Sequence, residues 1–123
     1  MNKKQTNLGR LLLKPVEPFG DTESFNKETT FLTGAEAIVH MLLAQRQHDL
    51  AQGINSAGFV SGYRGSPLSG LDQELWNNQV ALDAASIRFL PAINEDLAAT
   101  AILGTQRIGS DPDALYEGVF SLW

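Results

Sequence analysis

The sequence contains no cysteine among its 123 residues. A disulfide framework, a thiolate metal site and iron–sulfur ligation are therefore excluded as contributions of this chain, and the absence fits a reducing compartment. Long apolar runs are missing as well. After Met1-Asn2-Lys3-Lys4, which could open a signal peptide, the apolar run that follows is only residues 11–13. That is far short of a secretory h-region. Nothing approaches the roughly 20 apolar residues that span a bilayer. A cytoplasmic location without a membrane partner is the expectation. Basic charge is scarce in most of the chain. Residues 1–30 hold five basic and four acidic residues, a local balance of +1, whereas residues 31–123 hold four basic and ten acidic ones, a balance of −6. Nucleic-acid binding needs a basic face, so it is excluded for the larger part. The whole chain is 43% hydrophobic and 19% charged, an ordinary composition with enough apolar surface for one domain and too little length for two.

Residues 1–30, with Pro15 and Pro18 and no sustained periodicity, read as a tail or arm. From Thr33 the signals sharpen. Thr33 followed by Glu36 is a capping-box pattern, and Ile38, Val39, Leu42 and Leu43 recur at helical spacing, so a helix is predicted to end near Gly53. Residues 57–63 form a short apolar stretch between glycine and asparagine signals, a buried strand. Arg64-Gly65-Ser66-Pro67-Leu68-Ser69-Gly70 is a loop. Leu71, Leu75, Trp76, Val80 and Leu82 predict a helix through about Ala85, and residues 87–93 a second strand ending near Pro91. Asn94 is a helix cap before Glu95 and Asp96, and the Ala-rich helix that follows is predicted to stop near Gly109. Residues 118–123 read as a third strand. Alternation of helix and strand over 31–123 predicts an α/β fold, a parallel sheet with helices on both faces. The sequence stops inside a predicted strand, so a truncated domain, a fragment of a longer protein, is the expectation.

Ligands of open α/β sheets bind beyond the carboxyl ends of the strands. Two segments fall there, residues 63–70 and Asn94-Glu95-Asp96. The first has glycines but neither G-x-G-x-x-G nor a Walker A lysine, and Gly65-Ser66-Pro67 is no nucleophile elbow. It reads either as a ligand loop or as a tight strand-to-helix turn. Glu95 likewise has two readings: an acid matched to a helix dipole, or a carboxylate aimed into a site and tuned for proton transfer. His40 and His48, eight apart on the first helix, read as solvated or capping residues, and no metal-ligand set stands out.

Four segments then occur together in order: Phe31-Leu32-Thr33-Gly34; Gly58-Phe59-Val60-Ser61-Gly62-Tyr63-Arg64-Gly65-Ser66-Pro67-Leu68-Ser69-Gly70-Leu71-Asp72-Gln73-Glu74-Leu75-Trp76; Asn94-Glu95-Asp96-Leu97-Ala98-Ala99-Thr100-Ala101; and Tyr116-Glu117-Gly118-Val119-Phe120. Over residues 31–123 the chain resembles the amino-terminal region of the long, fused indolepyruvate ferredoxin oxidoreductases of bacteria. That resemblance implies a thiamine-diphosphate pyrimidine-binding domain. In such domains a glutamate hydrogen-bonds the aminopyrimidine ring nitrogen and favours the tautomer that activates the thiazolium carbon, and Glu95 matches it by position. The loop from Tyr63 to Pro67 looks like the Tyr-Pro-x-Thr-Pro loop of related oxidoreductases. Tyr63, Gly65 and Pro67 are thereby implied on the cofactor, and Ser66 on the 2-oxo acid. Arg64 replaces a proline of that loop, and it either pairs with the substrate carboxylate or lies on the surface.

The resemblance further implies an oxidative decarboxylation of indolepyruvate or related aryl 2-oxo acids to acyl-CoA. Coenzyme A accepts the acyl group, ferredoxin takes the electrons, and an iron–sulfur cluster elsewhere carries them. The diphosphate and Mg2+ would be gripped by a second, diphosphate-binding domain, in a homo-oligomer. No Gly-Asp-Gly…Asn-type segment for that grip exists in this sequence, so this stretch alone is expected to be inactive. The alternative expectation is a non-catalytic α/β binding or structural module.

Overall fold

A computed structural model describes residues 32–63, 65, 68 and 70–123. The predicted arm of residues 1–30 lies outside the described residues, as do Arg64, Ser66 and Pro67 of the loop.

Helix α1 spans Gly34–Ala51. Its start is the predicted capping box: the Thr33 hydroxyl accepts the Glu36 amide at 3.3 Å, and Glu36 Oε2 accepts the Thr33 amide at 2.6 Å. Its end is a Schellman motif. The Ile54 amide donates to Asp49 O at 2.9 Å and the Gly53 amide to Leu50 O at 3.0 Å, with Gly53 at φ 78°, the left-handed conformation that favours glycine. The chain continues into β1 (Ser56–Val60), α2 (Leu71–Asn77), α3 (Gln79–Ala84), β2 (Ile87–Phe89), α4 (Glu95–Thr105), a 3₁₀ turn at Ile108–Ser110, and β3 (Gly118–Leu122).

Four elements depart from the sequence reading. The first strand, expected over residues 57–63, spans Ser56–Val60; the other three departures each have a local reason. The helix predicted from Leu71 to about Ala85 is broken in two. Asn78 sits between the pieces, and its side-chain amide bonds both the carbonyl and the carboxylate of Glu74, at 2.9 and 2.7 Å. Asparagine competes in this way with the helical ladder. The second strand is shorter than predicted, because Pro91 has no amide to donate; flanking bonds from Leu90 N to Val60 O and from Ala92 N to Gly62 O continue the pairing around it. Helix α4 ends at Thr105 instead of near Gly109. There the Gln106 side chain turns to β3, donating to Val119 O and to Ser121 Oγ, each at 3.0 Å.

The sheet is parallel in the order β2-β1-β3, so the fold is a small α/β domain. Strand residues alternate between faces. Val60, Ile87 and Phe89 point to one side, where they form the buried core with Val39, Leu42 and Leu43 of α1, Leu75 of α2 and Leu82 of α3. Each fully buried aliphatic side chain here contributes about 1.5–3 kcal/mol. Gly58 faces the same core between its strand partners Ile87 and Phe120. A β-carbon at Gly58 would come within 2.8 Å of both side chains, so glycine is required by this close approach. Helix α4 lies on the other face. Its buried residues, Ala98 and Ile102, stand outside the first core, and Thr105 meets Ser121 of β3 at 3.3 Å.

Helices on both faces follow from the strand order. The connection from β1 steps to β2 on one side, and the connection from β2 returns past β1 to β3. Two right-handed crossovers in opposite directions must cover opposite faces. Among the described residues no helix is long and apolar enough to cross a membrane.

Candidate functional site

The strand order also locates a crevice. The loop leaving β1 turns to α2 on one face, and the loop leaving the adjacent β2 turns to α4 on the other. Adjacent strands whose loops part in this way define a topological switch point, where ligands of open α/β sheets bind.

The two exits are laced together beyond the regular ladder. Val60 O and Gly62 O accept the amides of Leu90 (2.9 Å) and Ala92 (2.7 Å), and the buried Ser61 hydroxyl donates to Leu90 O at 2.9 Å. This lacing carries residues 61–63 alongside residues 90–92 and sets Tyr63 beside the start of α4. Asn94 caps that helix from an extended conformation, its Oδ1 accepting the Leu97 amide at 2.9 Å. The cap makes Glu95 the first helical residue. At the join, the Tyr63 hydroxyl donates to Glu95 Oε1 at 2.6 Å, a bond between residues 32 apart in the chain.

The bond acts on both groups. Glu95 is held below the ordinary carboxylate range, first by the Tyr63 hydroxyl and second by its own backbone amide, with desolvation opposing. Tyr63 is raised above the ordinary phenol value, mainly because its proton is committed to Glu95. Tyr63 is half-buried and Glu95 exposed. Gly65 completes the arrangement: a β-carbon there would meet the Tyr63 ring at 2.6 Å, so the ring lies directly on the loop backbone. On the β2 side, Leu90, Ile93 and Leu97 present large apolar side chains to solvent, with Ile93 84% exposed. The Tyr63–Glu95 pair therefore offers an ionised, pre-oriented acceptor at the strand ends. Such a set can receive an N–H of a planar ligand or exchange a proton with it.

Of the residues singled out in the sequence, Tyr63, Gly65 and Glu95 are brought together. Arg64, Ser66 and Pro67 lie outside the described residues. Asp96 is exposed next to Glu95, its carbonyl accepting the Thr100 hydroxyl at 2.7 Å. His40 and His48 are both exposed on α1. Among the described residues no group of three or more His, Cys, Asp or Glu could hold a metal ion.

Sequence reasoning missed two features. One is the Tyr63–Glu95 bond, which no spacing announces. The other is a hollow of about 380 Å³ at the amino ends of the strands, lined in part by Ala57, Ser86, Arg88, Thr105, Tyr116 and Val119. It lies on the α4 face, at the opposite end of the sheet from Glu95. Its residues come from all three strands, from two helices and from the segments between them, and carry no motif. Comparison with protein-family models, curated proteins and solved structures returned no match.

Proposed function

We propose that this chain is the amino-terminal, pyrimidine-binding part of a thiamine-diphosphate-dependent 2-oxoacid:ferredoxin oxidoreductase of the indolepyruvate type. The observation that carries the reading is the Tyr63–Glu95 pair at 2.6 Å across the carboxyl ends of β1 and β2. Glu95 has the position after the second strand that the resemblance requires of the activating glutamate, and its partner comes from the loop that the resemblance implicates independently.

The residues present fit half of a cofactor site. An ionised carboxylate, a phenol and exposed apolar side chains suit an aminopyrimidine ring, whose nitrogen Glu95 would hold. Nothing among the described residues forms a ligand set for Mg2+, so the diphosphate and its metal fall to a diphosphate-binding domain of the same enzyme. When bound, thiamine diphosphate supplies the nucleophilic carbon that attacks a 2-oxo acid and stores the carbanion left by loss of CO2. The part assigned to this chain is narrower: Glu95 would bind and orient the ring, its carboxylate accepting the hydrogen bond of the ring nitrogen in its protonated form. Ser66 and Arg64 would meet the substrate. Coenzyme A, ferredoxin and an iron–sulfur cluster borne elsewhere complete the reaction, in a cytoplasmic homo-oligomer.

The test is made on full-length protein supplied with thiamine diphosphate, Mg2+, coenzyme A and ferredoxin. Indolepyruvate should be oxidatively decarboxylated. Glu95→Gln should leave the fold intact by circular dichroism and lower turnover by at least about 100-fold, because an amide cannot exchange the proton. Near-wild-type turnover in that variant removes Glu95 from the mechanism. A wild-type protein without thiamine-dependent activity supports the non-catalytic α/β module instead.

A further inference from the structure

The Tyr63 hydroxyl reaches Glu95 from the loop after β1, and its ring is seated on Gly65. That seat exists because Gly65 carries no side chain: a β-carbon would stand 2.6 Å from the ring edge. The ring is held from below by the loop backbone, and the hydroxyl is held from above by Glu95 Oε1. Between them, the backbone bonds from Ala92 to Gly62 and from Leu90 to Val60 fix the spacing of the two loops. A glutamate at the first position of a helix otherwise has three side-chain torsions to choose, and solvent all around it.

We infer that Tyr63 is a positioning residue that acts through Glu95: seated on Gly65, it holds one carboxylate oxygen and so presents the carboxylate to the N–H of a nitrogen heterocycle in a single orientation. The inference rests on the thiamine-diphosphate reading of the site and assigns Tyr63 a role beyond contact with the cofactor. Its chemistry is directional. Tyr63 donates a hydrogen bond to the carboxylate, so a proton shared between Glu95 and a ring nitrogen is biased toward the ring. Removal of the hydroxyl returns that bias to the carboxylate. Among the described residues no other charged side chain acts on Glu95; Asp96 is its neighbour on α4, and Arg64, next to Tyr63 on the loop, lies outside the described residues.

The experiment uses full-length protein and two readouts besides turnover. Water-soluble carbodiimide couples to protonated carboxyl groups, and peptide mass spectrometry reads the extent at Glu95 as the pH is lowered from about 7 to 3. In the wild type, labelling of Glu95 should begin only below the ordinary carboxylate range. Tyr63→Phe should move the onset to higher pH, and Gly65→Ala, which retains the hydroxyl but unseats the ring, should move it the same way. Thiamine diphosphate with Mg2+ should shield Glu95 in the wild type and bind roughly tenfold more weakly to Tyr63→Phe by calorimetry. If the wild type binds the cofactor while the labelling onset is the same in all three proteins, the positioning role is overturned and the cofactor reading stands. If Tyr63→Phe moves the onset but no protein binds the cofactor, the cofactor reading falls, and with it the assignment of the ligand.

Discussion

Glu95 satisfies two demands with one side chain. As the first residue of α4 it complements the positive end of the helix dipole, and as the partner of Tyr63 it is fixed across the crevice. Dipole complementarity explains why an acid is tolerated there. The phenol bond explains why this acid, and not exposed Asp96 beside it, is the one oriented toward the crevice. Gly58 shows the opposite kind of constraint, one set by space alone. Its hydrogen atom faces Ile87 and the Phe120 ring, both 2.8 Å from where a β-carbon would sit. Gly58→Ala should therefore destabilise the protein by about 1–3 kcal/mol, the usual cost of forcing extra volume into a packed core. A urea-denaturation midpoint equal to that of the wild type would show that the two side chains move aside freely.

At the scale of the element, α1 is defined by its ends. The Thr33–Glu36 box begins it and the Gly53 motif stops it, both from residues within a few positions of each other. That is why both ends were legible in the sequence. The box also carries a pH dependence. Glu36 is held below the ordinary carboxylate range, first by the Thr33 amide and second by the Thr33 hydroxyl. A carboxylate whose pKa falls on folding stabilises the native state above its unfolded value, near 4.3 for glutamate, and loses that contribution as pH falls through the lower, folded value. The free energy of unfolding should thus drop more steeply with acid in the wild type than in Glu36→Gln, over the range from about pH 5 downward. Parallel curves from urea titrations at several pH values would refute it. The broken helix α2–α3 was illegible for a related reason. The apolar spacing of Leu71, Leu75 and Leu82 runs straight through Asn78, and only the rotamer that turns its amide back to Glu74 shows the interruption.

The whole molecule is tied together at the end of the sheet opposite the crevice. Arg46 of α1 is 7% exposed. It donates to Ala85 O at 3.2 Å, at the end of α3, and to Asn55 Oδ1 at 3.0 Å, at the start of β1. Asn55 passes the connection to β3: its amide donates to Glu117 Oε2 at 2.6 Å, and its side chain to Leu115 O at 3.1 Å. Arg46 Nη1 is buried with no hydrogen-bond partner among the described residues, so the guanidinium is retained at some cost. Arg46→Ala should destabilise by about 2–4 kcal/mol, because it strands Asn55 and Ala85 O and empties the space of the stem. Arg46→Met, which refills that space, should cost less. Equal losses in the two variants by chemical denaturation would place the whole effect in the hydrogen bonds.

The amino-acid sequence by itself determined the kinds of element and their order, because capping, glycine stops and apolar spacing act within a turn or two of the chain. It also marked Tyr63, Gly65 and Glu95 as residues at strand ends, Gly65 and Tyr63 on one loop and Glu95 on another. Only the tertiary structure decided that the loops adjoin. The strand order β2-β1-β3 and the parallel register of Val60 with Phe89 bring together side chains 32 residues apart. Such contacts depend on how faces pack around a shared core, a property of the folded chain that no local pattern encodes.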